Sequence, residues 1–129
     1  NYLIEATFKE LTENYLGDND IIDISLKNEL AVFLASISKI GLIPTIAFYH
    51  TVKKETKNND AVSRLKLLGT LTRLLTTKGF NFQNQSLLEY CVNNNKPTLH
   101  KQLIWHIDEV AGCLKICYRF YNNNNTEKQ

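Results

Sequence analysis

Three histidines, three cysteines and thirteen carboxylates are the residues with which this 129-residue sequence could do covalent or metal chemistry. Their spacing does not assemble a reaction centre. A nucleophile needs a base beside it, and His50, His100 and His106 stand in no catalytic motif. His100 and His106 are six residues apart, nearly opposite on one helix, and Asp108 and Glu109 point in different directions. The five glycines (Gly17, Gly41, Gly69, Gly79, Gly112) lie too far apart to form a phosphate-cradling loop. His106, Cys113 and Cys117 recur at i, i+7 and i+11, ligand types that zinc accepts. A helix rising about 1.5 Å per residue spreads them too far for one ion, so buried thiols beside a satisfied histidine are expected. The sequence therefore implies no catalytic residue, no metal and no cofactor.

Cations make the stronger pattern. Lys101, Trp105, Asp108, Gly112, Lys115 and Arg119 step by four and three along one helix face. Three bases, one aromatic and a bare backbone position suit a phosphate chain lying along the helix. Lys66 and Arg73, with Thr70 between them, offer a second polar face, and Lys53 and Lys57 a third. The plainer alternative is a set of solvated helix faces with Trp105 packed on a neighbour. Glycine and Cys-His signatures of base-reading domains are absent, so contact would be to backbone.

The charge is also divided along the chain. Formal net charge is +2, yet residues 1–38 hold seven acids (Glu5, Glu10, Glu13, Asp18, Asp20, Asp23, Glu29) against Lys9 and Lys27. The rest carries a net +7. Such a split can match a polyanion on one side and a basic partner on the other. Three cysteines are too few and odd in number for a disulfide framework, and no basic segment followed by an apolar stretch opens the sequence. A reducing, cytoplasmic setting is the expectation. Apolar runs fall far short of a membrane span of about 20 residues.

Helical periodicity positions these groups. Leu3, Ala6/Thr7, Leu11 and Tyr15 predict a helix over 2–16, broken by Gly17-Asp18-Asn19-Asp20. Ser25 caps a second, 26–40, with the stripe Leu26, Leu30, Phe33, Leu34, Ile37, Ile40 and Gly41 as a left-handed stop. Pro44 fits the first turn of a third, 43–57. Asp60 caps a fourth, 61–78, along Ala61, Leu65, Leu68, Leu71 and Leu75, ended by Gly79, and pairs with Arg64. A short helix covers Ser86 to Val92, and the longest runs from Pro97-Thr98 to about Tyr121 along Leu99, Leu103, Ile107, Val110, Leu114, Cys117 and Tyr121. The fold expected is all-α, one bundle of five to six helices over 1–121, with 122–129 a disordered polar tail.

The segment Ser38-Lys39-Ile40-Gly41-Leu42-Ile43-Pro44-Thr45-Ile46-Ala47-Phe48-Tyr49-His50 resembles a hallmark of the small helical subunit of the type III-B CRISPR RAMP-module (Cmr) effector complex. In that family a helix ends in Gly-Leu, followed by a Thr, an Ala-Phe and a lysine-ended helix, matched here by Gly41-Leu42, Thr45, Ala47-Phe48 and Lys53. Leu114-Lys115 and Arg119-Phe120 look like its closing helix, although Cys113 stands where a tryptophan is usual and Ile116 where a base is usual. The likeness spans 26–57 well and 97–121 loosely. It implies a non-catalytic subunit that stacks with copies of itself beside RAMP-fold backbone subunits and a large polymerase-like subunit, helping to hold guide RNA and target RNA. The cations expected to face nucleic acid are Lys39, Lys53, Lys57, Lys66, Arg73, Lys101, Lys115 and Arg119. The acidic N-terminal third is expected to face a basic neighbour. The alternative is a helical protein–protein adaptor without nucleic-acid contact.

Overall fold

The computed structural model describes residues 2–51 and 59–126, the side chains of 59, 60, 125 and 126 excepted. Within them the chain is an all-α bundle: α1 (Tyr2–Asn14), α2 (Ile24–Ile40), α3 (Leu42–His50), α4 (Asn59–Thr77), α5 (Leu87–Asn93) and α6 (Pro97–Thr126). None of these helices is long and apolar enough to cross a membrane.

The apolar stripes close on one another as helical spacing requires. Leu11 and Tyr15, Leu26, Leu30 and Phe33, then Leu103, Ile107, Val110, Leu114 and Cys117 are all buried in one core. On α4 the buried face is broader than the expected stripe. Leu67, Thr70 and Leu74 are buried beside Leu68, Leu71 and Leu75. Leu65, expected inside, is 38% exposed. α4 touches α1, α2, α3 and α6, so most of its circumference is covered, and its exposed residues, among those described, are Val62, Leu65, Lys66, Arg73, Thr76 and Thr77.

Local signals explain the ends. Asp23, not Ser25, caps α2: its carboxylate accepts from the Ser25 N–H at 3.0 Å, which starts the helix earlier than expected. Gly41 adopts φ +96°, a region that favours glycine, and lets α3 begin at once. Its N–H donates to the Ile37 carbonyl, and its own carbonyl accepts the Thr45 hydroxyl at 2.7 Å. Ser86 and Glu89 form a reciprocal capping box on α5. α3 stops at His50, short of the expected 57, because Thr51 is extended and donates its N–H back to the Ala47 and Phe48 carbonyls. Asp60, expected as a cap, falls inside α4; its pairing with Arg64 and residues 52–58 lie outside the described residues.

The expected disordered tail is corrected over 122–126, which belong to α6. Asn122 anchors this extension to the connector between α1 and α2. Its amide accepts from the Ile22 N–H at 2.8 Å and donates to the Ile22 carbonyl at 3.1 Å. On the connector's other side Ile22 pairs with Leu16 in an isolated antiparallel bridge. A residue that reads as polar tail in one dimension thus satisfies a nearly buried backbone in three.

Candidate nucleic-acid interface

Of the eight expected cations, the six that the structure describes do not gather on one surface. Lys53 and Lys57 lie outside the described residues. Lys66 and Arg73 turn toward α1, where the Lys66 ammonium sits 4.9 Å from the centre of the Tyr15 ring. Arg73 grips Glu10 at two points, Nε on Oε1 and Nη2 on Oε2, the latter at 3.0 Å. Thr70 is no part of an outward polar face: it is buried, donates to Glu10 at 3.3 Å and meets the Tyr15 hydroxyl at 2.8 Å. Asn14 also donates to the Glu10 carboxylate, at 2.9 Å. Gly69 leaves room for the clamp, since a methyl there would sit 3.1 Å from the Arg73 guanidinium. Glu10, one of the seven acids of the N-terminal third, therefore meets its base within its own chain. Alternating Glu10 and Arg73 across an interhelical seam was invisible to a reading of each helix alone.

On α6 the expected stripe splits along its length. Trp105 is 60% exposed, not packed into a neighbour. The Lys78 ammonium lies 5.4 Å from its ring centre and is itself paired with Glu109. His106 Nδ1 is 3.3 Å from Glu109, and the His106 ring meets Phe80 edge-on at 5.0 Å. This histidine and carboxylate share an outer helix face, where the Glu109 side chain is 41% exposed and tied to Lys78. His100 is occupied elsewhere, its Nε2 3.1 Å from the Cys91 carbonyl oxygen. Burial pushes the Cys91 thiol up to about 11, and holds Cys113 and Cys117 above their ordinary values. All three stay thiols at neutral pH, the unreactive form. Among the described residues no three His, Cys, Asp or Glu side chains gather as a metal site requires.

Convergence occurs at the C-terminal half of α6, where it crosses the N-terminal half of α2. A groove of about 380 Å³ opens there. Leu26, Leu30 and Leu114, all buried core residues, form its floor, with Ala31 and Tyr118 beside them. Lys27, Lys115 and Arg119 are exposed cations in its lining, and the lining contains no carboxylate. Among the described residues none of these three is in an ion pair. The spacing of Lys115 and Arg119, one turn apart, is legible in sequence. Lys27 was missed because it belongs to the acidic third and reaches the groove only through the crossing of two helices. Lys101 lies fourteen residues before Lys115, about 21 Å along α6. Lys39 lies twelve beyond Lys27, about 18 Å along α2. Both are exposed, and neither belongs to the groove.

A second cleft of about 430 Å³, between α1 and α4, is lined by Lys9, Glu10, Glu13 and Arg73 among others, a mixture of signs that suits no single class of ion. Neither cleft contains a histidine.

No protein family, curated protein or solved structure matches this chain.

Proposed function

We propose that this chain is a non-catalytic, cytoplasmic subunit of a type III RNA-guided CRISPR effector complex of the Cmr kind, and that it holds the sugar-phosphate backbone of guide or target RNA. The observation that carries the RNA contact is the meeting of Lys27, Lys115 and Arg119 at one groove with no carboxylate in its lining. Cations left unpaired beside a concavity raise the local concentration of anions, whereas Arg73 and Lys78 are already neutralised by Glu10 and Glu109. The assignment to a Cmr-type complex rests on the Gly41-Leu42, Thr45 and Ala47-Phe48 motif. Three of the motif residues have a physical job at the α2–α3 junction: Gly41 takes the positive φ, Thr45 bonds its carbonyl, and Leu42 is buried, while Phe48 is 58% exposed.

Purification of the tagged chain from its native host tests the proposal. RAMP-fold backbone subunits, a polymerase-like subunit and short guide RNAs should elute together. Elution with proteins but no RNA would favour the adaptor reading instead. That second reading draws on exposed apolar side chains of α6: Ile116 is 66% exposed, and Phe120, 59% exposed, meets Phe8 edge-on at 5.9 Å.

A further inference from the structure

We infer that the α2–α6 groove seats one whole nucleoside phosphate unit of an unpaired RNA strand, base included, and not the phosphate backbone alone. The inference rests on the RNA-binding reading above and narrows it to a ligand. A bare phosphate needs cations and little volume, while this groove offers about 380 Å³ above a floor of Leu30 and Leu114. That size falls in the range of small-ligand sites, about 300–1,000 Å³. Leu30 and Leu114 are themselves covered, so the apolar surface open to a ligand is that of Ala31 and Tyr118; it gains nothing from a phosphate, but it removes water from the face of a base. Tyr118, half-buried at the groove wall, supplies an aromatic surface of the kind on which bases rest. The cations sit on both sides: Lys27 on α2, Lys115 and Arg119 on α6. A base on the floor therefore places its own phosphate and the next within reach of opposite rims. A fatty acid or a lone carboxylate would leave two of the three charges without a partner. An acidic amphipathic peptide is a different occupant, and the competition arm below separates it.

The test is fluorescence anisotropy with a labelled uridine oligomer of about ten residues, a length within the usual site size of single-strand binders. A ribose-phosphate oligomer of the same length, lacking bases, serves as the comparison. The intact oligomer should bind about fivefold tighter or more, the range expected when one base is stacked. Ala31→Trp, on the exposed groove wall, fills the base compartment and leaves every cation in place. It should bring the intact oligomer down to the level of the baseless one without changing the latter. Tyr118→Ala should act in the same direction and Tyr118→Phe should not, which guards against an effect of Ala31→Trp on folding. Equal binding of the two oligomers overturns this inference and leaves the backbone reading standing. Binding of labelled uridine monophosphate without binding of either oligomer keeps the seat and removes the backbone reading. Displacement of the intact oligomer by polyglutamate as effectively as by uridine monophosphate overturns the nucleotide assignment in favour of an acidic peptide.

Discussion

Two interhelical seams of this bundle handle positive charge in opposite ways. Between α1 and α4, Arg73 is held by Glu10, and Glu10 is further fixed by Thr70 and Asn14, so the charges close on each other. Between α2 and α6, Lys27, Lys115 and Arg119 meet over leucines with no carboxylate in the lining. The lesson is that counting cations along a chain does not locate a binding surface. A base whose partner is supplied by the fold contributes to structure, and one left unpartnered beside a concavity is available to a ligand.

The contrast predicts a descending series of effects. The largest belongs to the groove. Replacing Lys27, Lys115 and Arg119 together by Gln should weaken single-stranded RNA binding roughly a hundredfold at low salt, and flatten the log–log salt plot by about 2 units, at about 0.7 per phosphate contact. Circular dichroism should stay that of a folded helical protein. A salt slope identical to that of the unmodified chain would show that these cations touch no phosphate.

Next comes the hinge of the groove. Asn122→Ala strips both partners from the Ile22 backbone, which is almost fully buried, and should cost about 1–3 kcal/mol. Urea unfolding with an unchanged m-value is the measure. No loss of stability would mean that the end of α6 is not anchored there.

Tyr15→Phe probes the other seam and should cost about 1 kcal/mol, the usual value of one buried hydrogen bond. It also carries a pH signature. Burial raises the Tyr15 hydroxyl from 10.0 to about 12, and the Cys91 thiol from 9.0 to about 11. A raised value in the folded state means stability that is intact below the unfolded value and is lost as pH climbs through the folded one. Thermal midpoints should therefore begin to fall above pH 9 and continue to fall through pH 12. Cys91→Ala should remove part of the earlier decline, to which Cys113 and Cys117 also contribute, and Tyr15→Phe part of the later one. Superimposable pH curves for all three proteins would contradict the burial of these groups.

The smallest effect is the sharpest discriminator. Arg73 is 54% exposed, so Arg73→Ala should cost no more than about 1 kcal/mol despite its two-point contact with Glu10. It should leave RNA affinity within experimental scatter. A loss of affinity comparable to that of the groove variant would erase the distinction between the two seams.

Much of the architecture was legible from spacing. The stripe Leu103, Ile107, Val110, Leu114, Cys117 is buried as helical period requires, and Gly41 and Gly79 have positive φ where helices stop. Lys115 and Arg119 were legible for the same reason, being one turn apart. The failures share another cause. Thr70 and Arg73 look solvent-facing until the Glu10 of another helix is placed against them, and Lys27 looks unremarkable until α6 crosses above it. Leu65 looks like core because its spacing fits, yet α4 has partners on its other sides.

Local sequence thus determined helix identity and most of each apolar face, because period and glycine conformations act within a few residues, whereas the ends of α2, α3 and α6 and the full buried face of α4 came from capping and packing. The packing of helices decided which charges neutralise one another and which remain open to a ligand. Coulomb interactions and concavities depend on distances between elements, and Glu10 with Arg73, or Ile22 with Asn122, become neighbours only once the chain has folded.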